Sequence, residues 1–118
     1  MNTLIDLPPS EVEKLIDKDI VMIDVRRDEE WAYTGVIKNA YKMTFFDMFG
    51  NADVQGWMHE FQKLVTSKDQ QFVLICAHAN RTRTIGEYLV QNHGYTNVCH
   101  LAGGMALWTD ENRDVIFN

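Results

Sequence analysis

The sequence predicts an α/β domain with a mostly parallel central sheet flanked by helices on both faces. Three apolar runs, at residues 20–23, 72–75 and 98–101, show no alternation with polar residues. Such runs are typical of strands buried on both sides of a parallel sheet. Segments with apolar residues at helical spacing lie between them. Strands that alternate with helices in this way favour a parallel sheet over an antiparallel one.

The first elements of this arrangement are predicted close to the N-terminus. Residues 3–5 are predicted as a short strand, and a turn follows through Pro8 and Pro9. Ser10 and Glu13 have the spacing of a capping box, which predicts that a helix begins at this point. The buried face of that helix is predicted at three positions: Val12, Leu15 and Ile16.

Three further helices are predicted between and after the central strands. The acidic residues 28–30 resemble the first turn of a helix, where the helix dipole favours negative charge. Two longer helices are indicated by apolar faces, and the second is followed by Gly94 at the position of a C-terminal cap. These two faces are Trp57, Met58, Phe61, Leu64 and Val65, and then Ile85, Tyr88, Leu89 and Val90.

Length, charge and cysteine content exclude several classes of protein. A chain of 118 residues fits one domain, predicted to span residues 1–118. Its net charge of −6 argues against binding to nucleic-acid phosphates or to an anionic membrane. No apolar run approaches the roughly 20 residues of a membrane span, and residues 1–7 do not read as a signal peptide. Two cysteines make a poor disulfide framework, so a cytoplasmic location is expected.

The segment from residue 76 to residue 82 carries most of the functional information. Its residues are Cys76, Ala77, His78, Ala79, Asn80, Arg81 and Thr82. A tight loop between a buried strand and a helix turns backbone N–H groups toward a common centre and so forms an anion site. That positive field favours the thiolate of Cys76, and Arg81 is placed to add its guanidinium. The alternative reading of Cys76 is a small buried apolar residue.

Four segments in the same order resemble motifs of one known family. They are Asp24-Val25-Arg26 with Glu30-Trp31, the Gly35-Val36-Ile37 segment through Ala40, the Cys76 to Thr82 loop, and Leu101-Ala102-Gly103-Gly104 with Trp108. On these segments the chain resembles the rhodanese-like sulfurtransferases along nearly its whole length. The sequence departs from the family pattern at four positions: Val36, Asn39, Ala77 and Ala79.

The resemblance implies a sulfurtransferase with a cysteine persulfide intermediate. Cys76 is implied as the catalytic residue that accepts a sulfane sulfur from a small anionic donor such as thiosulfate. Backbone N–H groups of residues 77–82 are implied to bind the sulfur and the donor, with Asp24 and Arg26 as supporting residues. The acceptor is expected to be a thiol or a protein, and neither a metal nor an organic cofactor is implied.

Two other functions are weighed against sulfur transfer. One alternative is a cysteine-dependent phosphatase or arsenate reductase. The related cell-cycle tyrosine phosphatases share the fold, but their loop has five residues between cysteine and arginine. Here four residues separate Cys76 from Arg81, and the shorter loop suits a single sulfur atom. A non-catalytic rhodanese module that binds a partner protein is the third reading.

Two further residues are considered for a role in the chemistry. His78 is predicted either to contact the donor or to face solvent, and Cys99 is predicted in the core.

Overall fold

The computed structural model describes residues 3–118, and this part of the chain forms five strands and five helices. The strands are β1 (Ile5–Leu7), β2 (Val21–Asp24), β3 (Tyr41–Lys42), β4 (Phe72–Ile75) and β5 (Val98–Leu101). The helices are α1 (Pro9–Leu15), α2 (Asp28–Thr34), α3 (Val54–Leu64), α4 (Asn80–His93) and α5 (Gly104–Asp110).

The strands form one sheet in the order β1-β5-β4-β2-β3, and every neighbouring pair is parallel. The central strand β4 pairs with β2 and with β5, so Leu74 lies between Ile23 and His100. All four residues of β4 and of β5 are buried, as expected for strands covered on both faces. The predicted fold class, a parallel α/β sheet, is therefore confirmed.

Two apolar clusters, one on each face of the sheet, hold the helices in place. Side chains of a strand alternate between faces, so Phe72 and Leu74 join one cluster while Val73 and Ile75 join the other. The first cluster contains buried residues of α3 and α4, namely Trp57, Met58, Phe61, Ile85 and Leu89. The second contains residues of α1 and α5, namely Val12, Met105 and Trp108. The helices therefore cover both faces, as the sequence predicts.

The N-terminal prediction was wrong in two details. The first strand is Ile5–Leu7 rather than residues 3–5, because Ile5 to Leu7 pair with β5. Helix α1 begins at Pro9 with Pro8 as its N-cap residue, so Ser10 and Glu13 lie inside the helix and form no capping box. Proline is favoured at the first helical position because its φ is fixed and its missing N–H has no partner there.

The predicted acidic first turn of α2 and the predicted Gly94 cap of α4 are both found. Gly94 ends α4 in the left-handed conformation, with φ of 71°. Glu30 lies in the acidic first turn of α2, and its carboxylate accepts the backbone N–H of Arg27 at 3.1 Å. Across residues 3–118, no helix combines the length and the apolar character that crossing a bilayer requires.

The carboxyl ends of the parallel strands all reach the same edge of the sheet. Asp24 ends β2, and Cys76 directly follows the last residue of β4. A cavity of about 670 Å³ lies at the other edge, beside Val21 and Tyr41 at the starts of β2 and β3. None of the predicted site residues lines it. Ligands of open α/β sheets bind at the carboxyl edge, so the candidate site is sought there.

Candidate active site

Cys76 lies at the base of the loop that joins β4 to α4. Its residue surface is only 1% exposed, and its Sγ lies 3.4 Å from the hydroxyl oxygen of Thr82. Cys76 therefore packs in the core cluster, and its thiol also has a polar partner. A cysteine that served packing alone would need no such contact.

The backbone N–H groups of residues 77–82 are free to bind an anion. Within residues 3–118, none of these six groups donates a hydrogen bond to a protein acceptor. The last three, from Asn80 to Thr82, form the first turn of the 14-residue helix α4. The first N–H groups of a helix have no partner inside the helix, and they carry its positive dipole end. Free N–H groups at a helix N-terminus are the type of donor that anions bind in other proteins.

Ala79 takes the backbone conformation that glycine would adopt most easily. It is the N-cap residue of α4 and has φ of 68° and ψ of 7°, in the left-handed region. This geometry reverses the chain between β4 and α4, so the loop turns within a few residues. The family's usual glycine is replaced here, yet the turn is retained. Alanine at this position therefore still permits the reversal of the chain.

The start of α5 fixes the other side of the loop. The N–H of Met105 donates to the carbonyl oxygen of Cys76 at 2.8 Å, and the N–H of Ala106 donates to that of Ala77 at 2.9 Å. Gly104 permits this approach, since a Cβ there would lie 2.3 Å from the Ala77 oxygen. The two glycines after β5 thus let a helix end meet the loop carbonyls and leave the loop N–H groups free.

Arg81 is held by Glu30 of α2 in a paired contact. Both terminal nitrogens of Arg81 donate to the two Glu30 carboxylate oxygens at 2.7 Å, and each side chain is less than a quarter exposed. The Arg81 hydrogen bond lowers the pKa of Glu30 to about 2, against the opposing effect of burial. The same bond raises the pKa of Arg81. Arg81 is therefore a fixed positive charge, and the pairing with Glu30 was not predicted from the sequence.

Asp24 and Arg26 form a buried ion pair at the end of β2. The Nη2 of Arg26 donates to Asp24 Oδ2 at 2.8 Å, and both side chains are almost fully enclosed. The guanidinium also donates to the hydroxyl of Thr34 and to the carbonyl of Gly35, at 2.7 and 2.8 Å. The pair thus fastens the end of α2 to β2. That helix carries Glu30, the partner of Arg81.

A small cavity of about 200 Å³ lies beside the loop. Ala77 and His78 form one wall, and Arg26, Glu30 and Met105 contribute to the others. His78 and Asn80 are exposed, Ala77, Ala79 and Arg81 are half-buried, and Thr82 is buried. The predicted loop residues therefore divide into a buried side at Thr82 and an open side at His78.

A buried polar chain behind Cys76 was missed by sequence reasoning. The Thr82 hydroxyl lies 2.8 Å from Nδ1 of His100, and Nε2 of His100 contacts the carboxylate of Asp6. His100 is fully buried in β5, directly across from Asp6 in β1. The sequence did contain a signal for this chain, namely a histidine inside a strand that is buried on both faces. A buried imidazole needs polar partners, so its position indicates that such partners lie nearby.

Among residues 3–118, neither the second cysteine nor a metal-binding cluster adds a reactive group to this site. Cys99 is buried in the second cluster, and burial raises the pKa of its thiol, as expected for an unreactive core cysteine. In the described residues, no three or more side chains of His, Cys, Asp or Glu come close enough together to hold a metal ion.

The model of the Rhodanese-like domain family matches residues 8–111, which include strands β2 to β5, the Cys76 loop and Gly104. The chain belongs to this family. Its rhodanese-like character agrees with the placement of the Asp24, Cys76 and Gly104 segments at one sheet edge. The family match covers every element but β1.

Relatives of this rhodanese-like chain include proteins named for sulfur chemistry. The Bacillus subtilis protein YtwF is 31% identical over 98 residues, which cover 82% of this chain and 81% of that protein. A Pseudomonas fluorescens protein named thiosulfate sulfurtransferase GlpE is 24% identical, with 86% and 82% of the two chains covered. The polysulfide-sulfur transferase of Wolinella succinogenes has the same fold, with a TM-score of 0.72, 24% identity and coverage of 96% and 78%.

Proposed function

We propose that the protein transfers sulfane sulfur from an anionic donor to a thiophilic acceptor through a persulfide on Cys76. The observation that carries this proposal is the set of six unpaired backbone N–H groups, residues 77–82, arranged after the cysteine. A persulfide anion and the departing donor both carry negative charge, which such donors stabilise. Relatives named thiosulfate sulfurtransferase support the same chemistry.

Sulfur loading is a displacement at the outer sulfur of the donor. The Cys76 thiolate attacks that sulfur, and a new S–S bond forms. With thiosulfate, the bond between its two sulfurs breaks, and the electron pair leaves on sulfite. A nucleophilic acceptor then attacks the terminal sulfur of the persulfide, and the breaking S–S bond returns its electron pair to Cys76. The two half-reactions need no metal and no redox cofactor.

The shape of the site favours sulfur over phosphate as the transferred group. Four residues separate Cys76 from Arg81, and the thiol is nearly enclosed. Phosphatase chemistry needs a carboxylic acid that protonates the leaving group. Glu30 contacts the loop arginine, but its pKa of about 2 keeps it ionised at neutral pH. This carboxylate is therefore unsuited to the role of general acid.

The cavity beside Ala77 and His78 is the approach that we assign to the donor and the acceptor. It holds about 200 Å³, enough for a small anion or for a single thiol side chain. Arg26 on its wall is already neutralised by Asp24, and Arg81 is neutralised by Glu30. The loop N–H groups are thus the main attraction for an anion, and we expect weak binding of thiosulfate by charge alone.

Steady-state formation of thiocyanate from cyanide tests the proposal, with thiosulfate and a polysulfide each supplied as donor. We expect activity in the wild type, a loss of at least about 1,000-fold in Cys76→Ser, and retention in Cys99→Ser as the matched control. Hydrolysis of an aryl phosphate that depends on Cys76, with no thiocyanate from either donor, would replace sulfur transfer by the phosphatase reading.

A further inference from the structure

The buried chain of polar groups behind Cys76 reaches from the active loop to the edge of the sheet. Thr82 lies on α4, His100 on β5 and Asp6 on β1, so three separate elements bring the groups together. The contacts run from Cys76 Sγ to Thr82 Oγ1 at 3.4 Å, and from Thr82 Oγ1 to His100 Nδ1 at 2.8 Å. His100 Nε2 then contacts Asp6 Oδ1. The His100 side chain is fully enclosed, whereas that of Asp6 is 55% exposed.

One arrangement of protons satisfies all three contacts when His100 is neutral. An ionised Asp6 only accepts hydrogen bonds, so His100 must donate from Nε2. The neutral imidazole then accepts at Nδ1, which makes the Thr82 hydroxyl its donor. The Thr82 oxygen is left to accept the S–H of Cys76. Every donor in the chain therefore points from Cys76 toward Asp6.

We propose that His100, held by Asp6, is a positioning residue that takes the thiol proton of Cys76 through the hydroxyl of Thr82. The S–H bond of Cys76 breaks as its proton moves to Thr82, and the Thr82 proton moves to Nδ1 of His100. A thiol and a neutral imidazole become a thiolate and an imidazolium, and no electrons are gained or lost. The transfer reverses when Cys76 is released at the end of the cycle.

The groups that face His100 act on its pKa in both directions. Burial lowers the pKa of the His100 imidazole below its ordinary value, while the hydrogen bond to Asp6 opposes this effect. From α4, Arg83 disfavours the imidazolium and Glu87 favours it. Burial therefore favours the neutral imidazole, the form that can accept a hydrogen bond at Nδ1. Arg83 also binds the exposed Asp6 carboxylate at 3.2 Å, which holds that carboxylate against β5.

This inference deepens the proposed function: the proton transfer belongs to a catalytic cycle only if Cys76 carries out the proposed sulfur transfer. The proton chain lies behind the cysteine, whereas the cavity lies on the side of Ala77 and His78. Donor binding in that cavity thus leaves the chain unobstructed. The inference assigns a function to a buried histidine that sulfur binding alone would not require.

The test is an NMR titration of the free protein labelled at the cysteine Cβ with 13C, which reports Cys76 ionisation without donor or acceptor. We expect the midpoint of this ionisation to rise by about 1 pH unit in His100→Asn and in Thr82→Val, since an opposite charge nearby favours the ionised form. Thr82→Ser keeps the hydroxyl and should restore the wild-type midpoint. His93→Asn, which removes a histidine bonded to Tyr88 on the same helix, is the matched control.

Asp6→Asn provides a second test. Asp6 lies on the edge strand β1 and its side chain is exposed, so this variant is expected to fold. Its midpoint should move in the same direction by a smaller amount. An unchanged midpoint in folded His100→Asn, or in Asp6→Asn if the first variant does not fold, overturns the inference. Because no sulfur donor is present, failure of the proposed sulfur transfer would appear separately, as a titrating Cys76 that never forms thiocyanate.

Discussion

Ala79 illustrates how a single residue sets both the path and the stability of the loop formed by residues 76–82. Its φ of 68° lies in a region that side chains ordinarily avoid, because the Cβ crowds the following carbonyl. The loop needs this conformation to place three helical N–H groups after Cys76. The protein therefore keeps the turn at the expense of some stability.

Replacing Ala79 with glycine should stabilise the protein by about 0.5 to 1 kcal/mol, because relief of the backbone strain exceeds the added freedom of the unfolded chain. Urea unfolding of wild type and Ala79→Gly measures the difference. The control is Ala32→Gly in helix α2, which should lower stability by about 1 kcal/mol. Equal destabilisation in both variants would contradict the argument from the Ala79 conformation.

The Glu30–Arg81 pair predicts a defined dependence of stability on pH. The pKa of Glu30 in the folded protein is about 2, below its ordinary value of 4.5. Its contribution is therefore present above about pH 4.5 and is lost as the pH falls toward 2. The stability difference between wild type and Glu30→Gln should shrink over that range in urea unfolding at several pH values.

Glu60→Gln is the control for this comparison, since Glu60 pairs with Lys63 on the exposed face of α3. We expect this variant to lose little stability at neutral pH, as is usual for exposed ion pairs. A Glu30→Gln difference that stays constant between pH 7 and pH 3 would show that the ion pair contributes no pH-dependent stability.

At the residue scale, the sequence indicated the active loop but not the groups behind it. Cys76 and Thr82 follow directly from a strand, a loop and a helix read in order. His100 and Asp6 are 94 residues apart in the chain, and only the β1–β5 pairing brings them together. Glu30 and Arg81 are likewise joined across two elements. Contacts of this kind depend on strand order, which local patterns do not contain.

At the scale of elements, the approach of α5 to the active loop rests on Gly104. A Cβ at this position would lie 2.3 Å from the Ala77 oxygen and 2.6 Å from the His78 nitrogen. Neither backbone atom can rotate away as the end of a side chain can. The helix and the loop must therefore separate if any larger residue is introduced.

Gly104→Ala should destabilise the protein by about 3 kcal/mol, combining overpacking with a left-handed backbone, and should reduce thiocyanate formation. Gly94→Ala is the matched control: Gly94 also has a positive φ, but nothing lies within 4 Å of its Cβ position. This control should lose about 1 kcal/mol and keep its activity. Equal losses of activity in the two variants would contradict a specific role for the contact between α5 and the loop.

The elements that were predicted well are those with strong local patterns. Strands β4 and β5 have the predicted bounds because four consecutive apolar positions leave few alternatives. Strand β1 was displaced by two residues because the polar Asp6 interrupts its apolar pattern. Leu4 instead contacts α4, where it lies against the Cβ position of Gly86. The bounds of β1 are set by its pairing with β5, which is a tertiary contact that the local sequence does not show.

At the scale of the whole molecule, the fold separates packing from chemistry. The two apolar clusters cover the faces of the sheet, while the charged pairs at Asp24 and Glu30 lie near the carboxyl edge. The chain carries a net charge of −6, so long-range attraction of an anionic donor is not expected. Affinity for the donor must come from the loop N–H groups at short range. The proposed chemistry therefore depends on the one loop that follows Cys76.

Intact mass of the purified protein after thiosulfate treatment tests this account most directly, with Cys76→Ser treated in parallel. We predict that the wild type gains the mass of one sulfur atom, that Cys76→Ser gains none, and that cyanide removes the added sulfur as thiocyanate. If neither thiosulfate nor a polysulfide adds sulfur to the wild type, or if Cys76→Ser gains as much, persulfide formation on Cys76 is contradicted.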